Sequence, residues 1–336
     1  MERDLFASEV SEDEIRKEVQ LRPQNFDEYI GQKQVVDNIK MMVKSARIRG
    51  HAMDHVLLSG PPGLGKTSLA MLIAKEMGTE LHVVSGPAIE KKGDLAALLS
   101  NIQPGDILFI DEIHRMHITV EEILYSAMED YRLDIVIGEG PTARTMQINL
   151  DPFTLVGATT RAGLLSTPLR HRFMASLHFD FYHPSELKEI VRFNAKKIKI
   201  EMTPEAFERI SVCSRGTPRI ANRILRRVRD YSIVNDKKVT SLEDVEQALS
   251  MMAIDAAGLD RMDRKILQVI REYYAGGPVG IDALCATLSE DRTTIEDVYE
   301  PYLLQEGFLV RTPRGREVSQ KAIEHLSAFE ALDSQL

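Results

Sequence analysis

The chain has 336 residues, 42 Lys+Arg against 51 Asp+Glu, a net charge of −9 and 43% apolar residues. That length accommodates about two or three domains, no apolar run is long enough to span a membrane, and the average charge argues superficially against nucleic acid. The charged start, MERDLFASEVSEDEIRKEVQ, lacks an apolar export core, so no signal peptide and a cytoplasmic location are expected.

Up to about residue 182, short β-branched runs alternate with helical patterns, as in a parallel sheet covered by helices. In chain order the patterns predict helix 32–49, strand 55–59, helix 66–77, strand 81–85, helix 92–100, strand 107–111, helix 119–128 and strands 154–159 and 176–180. Between the first strand and the second helix lies Gly60-Pro61-Pro62-Gly63-Leu64-Gly65-Lys66-Thr67, a complete phosphate-binding loop in its required strand–loop–helix context. Its glycines let consecutive N–H groups face the β- and γ-phosphates, and the helix N-terminus adds partial positive charge. Lys66 is expected to reach the terminal phosphates and the Thr67 hydroxyl to hold Mg²⁺. A glycine-rich turn that binds nothing is the alternative, and the context argues against it. The chain reads as a binder of nucleoside triphosphate.

Ile107-Leu108-Phe109-Ile110-Asp111-Glu112 is an apolar strand ending in two carboxylates. Ligands collect at the carboxyl ends of parallel strands. Asp111 is therefore expected beside Thr67, supporting Mg²⁺, and Glu112 is expected to polarise the attacking water. Residues 133–150 read as a β-hairpin around Gly138-Glu139-Gly140-Pro141. Its Ile135, Ile137, Met146 and Ile148 read as exposed, because a two-stranded ribbon cannot bury them all; the bland alternative is a hairpin packed back on its own domain. Leu155-Val156-Gly157-Ala158-Thr159-Thr160 is a further buried strand ending in hydroxyls, and beside the Asp111 strand Thr160 could orient water and sense the γ-phosphate. Arg170 and Arg172 follow on a segment closing this region. A guanidinium can stabilise phosphoryl-transfer charge from a neighbouring subunit, or fasten a second domain onto nucleotide.

From 184 to 253 the pattern is helical throughout (185–197, 204–213, 217–234, 241–251), with Pro184, Pro204 and Pro218 near helix starts and Arg219 in a Gly-Thr-Pro-Arg opening. Residues 260–336 order as helices 262–274, 280–288 and 292–305, then strand, Pro/Gly turn and strand, the order of a winged helix-turn-helix. Cys213 and Cys285 read as ordinary thiols in helical apolar patterns. Charge is uneven: net −7 over 1–182, +3 over 183–255 and −5 over 256–336. Within the acidic last part Arg311, Arg314, Arg316 and Lys321 cluster at the wing. Arg311 and Arg316, with Arg292 as a weaker third, suit contacts to a DNA backbone that carry no base information. The third helix, with Glu296, Asp297 and Glu300, is poorly suited to phosphates.

The combination GPPGLGKT, LFIDEIHR, GATTRAG, STPLRHRF and GTPRIANR resembles the AAA+ ATPases. With the N-terminal LRPQNFDEYIGQ and the RTPRGREVS wing, essentially the whole chain is similar to the bacterial branch-migration motors that act on Holliday junctions. The resemblance implies an α/β AAA+ nucleotide domain over 1–182 (its adenine-box segment 1–31), an all-α lid over 183–255 and a winged-helix head over 256–336. It implies ATP and Mg²⁺, with Leu21 and Arg22 lining the adenine pocket and Tyr182 near the base. Gly63, Lys66, Thr67 and Ser68 would hold phosphates, Arg172 would be the arginine finger with Arg170 the next choice, and Arg219 the second-lobe sensor. The family also places Glu129, Asp130 and Tyr131 near nucleotide at a subunit boundary, where the residues alone show only a helix end. The hairpin would dock RuvA, the junction-binding partner. A homohexameric ring on duplex DNA, with RuvC as a further companion at the junction and roles in recombination and repair, completes the implied picture. Clamp loaders share the AAA+ set but lack the wing. A protein remodeller would carry an aromatic pore loop, and Ser85-Gly86-Pro87-Ala88-Ile89 has no aromatic.

Overall fold

The computed structural model describes residues 21–137 and 144–333, except the side chains of 135–137, 144–145 and 330–333. The segment 1–20 and the hairpin turn 138–141 lie outside the described residues. The chain divides into two compact units, one from Arg22 to Asp180 and one from Phe181 onward together with Leu21.

In the first unit β1 (Val56–Ser59), β2 (Leu81–Ser85), β3 (Ile107–Asp111), β6 (Thr154–Thr159) and β7 (Ala175–His178) form one parallel sheet in the order β2-β3-β6-β1-β7. The three inner strands β3, β6 and β1 are buried along their lengths, except for the half-buried Asp111 that ends β3. That is why they read as unbroken apolar runs, while edge strands β2 and β7 alternate. Helices α1 (Lys33–Arg49), α2 (Lys66–Met77), α3 (Lys92–Ser100) and α4 (Ile118–Asp130) alternate with these strands along the chain. Left-handed Gly50 and Gly78 end α1 and α2. The predicted helices and strands are all present, within a few residues at their ends. A further short helix, α5 (Thr167–Arg172), is capped by the Ser166 side chain, which accepts from the Leu169 N–H. At six residues it is too short to show a hydrophobic period.

Strands β4 (Arg132–Ile137) and β5 (Arg144–Asn149) pair antiparallel as a separate ribbon, with Leu133 opposite Ile148 and Ile135 opposite Met146. One expectation is corrected here. Ile148 is half-buried against the core because its cross-strand partner Leu133 is fully buried at the ribbon's base. Met146, farther out, is 46% exposed. The side chains of Ile135 and Ile137 fall outside the described residues.

The second unit opens with four helices, α6 (Pro184–Lys197), α7 (Pro204–Val212), α8 (Pro218–Val234) and α9 (Leu242–Met251). The first three start with proline, whose missing N–H costs nothing at a helix's first position. Three further helices follow: α10 (Arg261–Tyr273), α11 (Ile281–Leu288) and α12 (292–305). The β8 (Leu309–Thr312)–β9 (Gly315–Val318) hairpin and α13 (Gln320–Asp333) complete the unit. α12 contains a wide π-helical turn, Ile295–Tyr299, just before Pro301. Proline cannot donate to the carbonyl four residues back, and the wide turn absorbs that missing bond. The last helix is absent from the sequence expectations; Ala322 and Leu326, four residues apart, seal it onto the core formed by Ile266, Ile270 and Leu303.

Where the four-helix part meets the winged part, Arg215 is buried at 2% exposure with a left-handed backbone. Its guanidinium pairs with Asp263 and, at 3.7 Å, with Asp260, lies over the Tyr302 ring, and donates from Nε to the Gly258 carbonyl. Asp260 and Asp263 are also the two halves of the capping box that starts α10. Alongside, Asp255 accepts from Arg264 at 3.3 Å and faces His325 Nε2 at 2.8 Å. Burial lowers the Arg215 pKa and raises that of Asp260, whose rise the nearby Arg215 charge opposes. Both cysteines are free, and burial pushes the Cys213 thiol up to about 11, so it stays a neutral packing group.

Removing one member of a buried ion pair leaves its partner's charge uncompensated, at about 3–5 kcal/mol. Arg215→Met is expected to lower the urea midpoint of this unit accordingly. Adding Asp263→Asn, which removes a stranded charge but keeps a capping oxygen, is expected to recover part of that stability. A single Arg215→Met variant with a wild-type midpoint contradicts this assignment.

Candidate nucleotide site and DNA interface

The loop between β1 and α2 turns on three glycines with positive φ: Gly60 (138°), Gly63 (80°) and Gly65 (102°). A side chain at Gly60 would strike the Phe179 carbonyl oxygen at 2.5 Å, and one at Gly65 the Tyr29 hydroxyl at 2.6 Å. Tyr29 in turn donates to the Gly65 carbonyl at 3.3 Å. Tyr29 therefore braces the loop, a role the sequence reading does not assign although Tyr29 lies within LRPQNFDEYIGQ. The Lys66 ammonium donates to the Gly60 and Pro61 carbonyls at 2.7 and 2.8 Å and so lies across the loop's mouth. Thr67 and Ser68, half-buried, occupy the first turn of α2. Arg22 reaches the same helix, its Nη1 lying 3.0 Å from Met71 Sδ.

Beside the loop, β6 lies between β1 and β3, with Ser59 opposite Thr159 and Ile110 opposite Gly157. The ends of β3 and β6 thus lie at one edge of the sheet. Thr160 Oγ1 donates to Glu112 Oε2 at 3.1 Å, so these two expected site residues are in direct contact. His114 Nδ1 lies 3.2 Å from the same Oε2 and 2.8 Å from Thr159 Oγ1. Asp111 Oδ1 accepts the Glu112 N–H at 3.0 Å. Glu112 has φ 49° and its backbone carbonyl passes directly over Gly86, where any Cβ would collide with it. His114 and Gly86 thus touch Glu112, contacts the sequence reading does not assign, although His114 lies within the LFIDEIHR motif two residues after Glu112.

Arg172, at the end of α5, donates from Nη1 to the Pro168 carbonyl at 2.9 Å and from Nη2 to Glu129 at 3.0 Å. It stacks 4.5 Å from the Tyr125 ring centroid. Tyr125 hydrogen-bonds Ser166 at 2.9 Å and Glu121 at 3.1 Å, and burial raises its pKa. Arg170, two residues earlier, is exposed. The Glu129-Asp130-Tyr131 stretch divides: Glu129 holds Arg172, Asp130 pairs with Arg132 at 3.2 Å, and Tyr131 packs edge-on against Phe153. Leu21, Tyr182 and Arg219 belong to the second unit. There Leu21 and Tyr182 are buried, and the Tyr182 N–H donates to the Gly216 carbonyl at 2.8 Å. Arg219 is exposed in the first turn of α8.

The wing brings a correction. Arg316, expected to face DNA, is buried at 6% exposure. It makes a bidentate pair with Glu300 (3.1 and 2.9 Å) and a further contact to Glu296 at 3.2 Å. Glu300 is itself buried, so Arg316 is the countercharge that permits a carboxylate inside the head. Its backbone also bridges Val279, both bonds at 2.9 Å. Arg311, directly opposite on β8, is 58% exposed and only 3.8 Å from Glu300, and Arg314 at the turn is exposed. Arg292 is 57% exposed but pairs with Glu296 and Asp282.

A phosphate loop, an acidic strand end and a hydroxyl strand end, gathered at the carboxyl edge of a 2-3-6-1-7 parallel sheet, define an AAA+ ATPase. Three domain models of one family match the chain: the Holliday junction DNA helicase RuvB P-loop domain over residues 21–179, the RuvB AAA lid domain over 182–255 and the RuvB C-terminal winged helix domain over 256–327. The chain belongs to the RuvB family. It is 54% identical over 325 residues to the Holliday junction branch migration complex subunit RuvB of Kosmotoga olearia, covering 97% of this chain and 94% of that one. To the subunit of the same name from Myxococcus xanthus it is 52% identical over 322 residues, covering 96% and 94%. The solved structure of the Thermotoga maritima RuvB Holliday junction branch migration motor superposes with a TM-score of 0.85 at 51% identity, covering 92% of this chain and 98% of that one.

The Gly86 contact yields a clean test of the Glu112 geometry. Gly86→Ala is expected to displace the Glu112 backbone and cut ATP turnover about 100-fold, the usual scale for a misplaced reacting group. Binding of a fluorescent ATP analogue should persist, since Gly86 is not part of the phosphate loop. Turnover near wild type would show that Glu112 position does not limit the reaction.

Proposed function

We propose that this chain hydrolyses ATP to drive DNA through a ring of six copies and, with RuvA at a four-way junction, migrates the branch point during recombination and repair, with RuvC as a companion. The reading divides the chain into a nucleotide domain (1–182), a lid (183–255) and a winged head (256–336). The observation that carries it is the contact between Glu112 and Thr160 across neighbouring strands beside the phosphate loop.

Lys66, with backbone N–H groups of Gly63 to Ser68, binds the phosphates, exchanging its two loop carbonyls for phosphate oxygens. The hard oxygen donors at Thr67 and Asp111 suit Mg²⁺, which supplies neutralisation of charge on the β- and γ-phosphates when bound. Glu112 accepts a proton from water, and Thr160 keeps its carboxylate oriented. Leu21, Arg22 and Tyr182 hold the base, with Arg219 as the lid's sensor. Arg172 acts as the finger toward a neighbouring subunit, aimed by Glu129 and the Tyr125 face. Asp130 and Tyr131 shape that boundary. Met146 is the ribbon's anchor for RuvA, with Ile135 and Ile137 on the same ribbon, whereas Ile148 fixes the base.

On the head, Arg311 and Arg314 contact phosphates, with Arg292 weaker. A few contacts per subunit are sequence-independent and salt-sensitive, and a ring sums them.

The deciding experiment measures ATP hydrolysis against added duplex DNA and RuvA, with a synthetic four-way junction scored for strand separation. Stimulated hydrolysis with junction separation is expected; hydrolysis without separation would leave an ATPase that is not a branch-migration motor. Lys66→Ala should abolish nucleotide binding, while Glu112→Gln should retain ATP and lose turnover, read by filter binding and phosphate release.

The wing separates surface from structural arginines. Arg311→Ala and Arg314→Ala should each weaken duplex binding alike across sequences. Each should also flatten the slope of log affinity against log salt, by about one unit for every phosphate no longer neutralised. Arg316→Ala should instead lower the head's unfolding midpoint, by about 3 kcal/mol of stability. An unchanged slope in the Arg311/Arg314 double variant, with rings intact, would move DNA binding off the wing.

A further inference from the structure

We propose that His114 is a positioning residue for Glu112, tying one carboxylate oxygen to the hydroxyl end of β6 so that the other oxygen is the one that receives the proton from water. This rests on the reading of Glu112 as the water-activating base, and deepens it.

The observations converge on one nitrogen. His114 Nδ1 is 3.2 Å from Glu112 Oε2 and 2.8 Å from Thr159 Oγ1, and its side chain is 6% exposed. Thr160 Oγ1 donates to the same Oε2 at 3.1 Å. Thr159 is itself fixed: its side-chain oxygen accepts the Arg161 N–H at 3.0 Å, and its backbone carbonyl accepts the Gly60 N–H at 3.1 Å. A chain of contacts therefore runs from the phosphate loop (Gly60) through Thr159 and His114 to Glu112.

The chemistry of imidazole makes this chain selective. With the proton on Nδ1, the ring donates to Oε2, and with Thr160 it gives that oxygen two donors. Oε1 is then the oxygen with the basic lone pairs facing water. With the proton on Nε2, Nδ1 accepts from the Thr159 hydroxyl and turns a lone pair toward Oε2, which repels the carboxylate and releases it. The tautomer thus sets whether Glu112 is held or loose. Because Thr159 also bonds the loop's first glycine, movement of the loop reaches Glu112 through this ring. No bond other than those to hydrogen changes, and the proton count is conserved between the two tautomers.

The test uses full-length protein with ATP turnover and fluorescent-nucleotide binding measured side by side. His114→Ala is expected to lower kcat about 10- to 100-fold, the scale for losing one hydrogen bond to a charged group, with KM and nucleotide affinity within about twofold of wild type. His114→Asn, whose amide nitrogen takes the place of Nδ1, is expected to recover most of kcat. In a Glu112→Gln background His114→Ala should cost nothing further, because there is no carboxylate to position. Wild-type kcat in His114→Ala, an Asn variant as slow as Ala, or a loss of nucleotide affinity equal to the loss of kcat would each overturn the proposal. If Glu112→Gln itself turns over normally, the underlying reading of Glu112 fails instead, and the two failures are distinguishable.

Discussion

The parallel pairing of β6 between β1 and β3 is the constraint on which the nucleotide end depends. It sets Thr159 against Ser59 and Gly157 against Ile110, so the hydroxyls that end β6 fall beside the loop on one side and the carboxylates on the other. Gly157 is the tight point of that arrangement. A Cβ there would meet the Phe173 ring at 3.0 Å and Ile113 Cδ1 at 3.1 Å. Ile113 stands between Glu112 and His114, and Phe173 directly follows Arg172. One missing methyl group thus lets the turn that carries the carboxylate and the helix end that carries the arginine pack onto the same strand. Cores of this density transmit displacements rather than absorb them, so the two groups are registered to each other through β6.

The second unit solves a different problem. A winged head of some eighty residues has a modest core, and at its border with the four preceding helices the chain buries charge. Arg215, Asp260, Asp263, Asp255, Arg264 and His325 form a network in which nearly every group also serves the backbone: the two aspartates cap α10, Asp255 accepts the Ala257 and Leu259 N–H groups, and Arg264 donates to the Leu259 and Ala253 carbonyls. Buried ion pairs add little net stability over an apolar packing of the same shape, but they are intolerant of sliding. The consequence is mechanical. Helices α6 to α9 and the head are joined by contacts that are costly to break, and together they form one compact unit.

Much of this is legible in the sequence because it follows from period and composition. Buried parallel strands announce themselves as apolar runs, and the Gly60–Thr67 loop as a string whose chemistry permits little else. Other features are not legible, each for a physical reason. The short α5 carries too few apolar positions for a helical period to stand out, and in the terminal α13 the apolar positions are spread around the helix rather than gathered on one face. Ile148 reads as exposed because a ribbon has two faces, and only the register with Leu133 shows which end sits on the core. Arg316 reads as a DNA contact because charge at a wing suggests phosphate; that Glu300 is buried opposite it is a fact of three dimensions. His114 has a signal, its position two residues past Glu112, but nothing in one sequence says that a histidine there turns toward Thr159.

The inward turn of Arg316 changes what the wing is. A surface arginine on a flexible hairpin loses rotamer freedom when it grips a phosphate. Here the hairpin is strapped on both sides, by Arg316 to Glu300 and by the paired bonds to Val279, and Gly315, at φ 142°, lies so close to the Val279 backbone that no side chain would fit. Arg311 and Arg314 therefore project from a fixed platform. The acidic third helix, an obstacle to DNA binding when read as sequence, supplies the carboxylates that hold that platform in place. The negative charge of the head and the proposed phosphate contacts of its wing are then two parts of one construction: Glu296 and Glu300 are matched by Arg316 and Arg292, with Arg311 3.8 Å from Glu300 at the edge of the same cluster and Arg314 exposed at the turn.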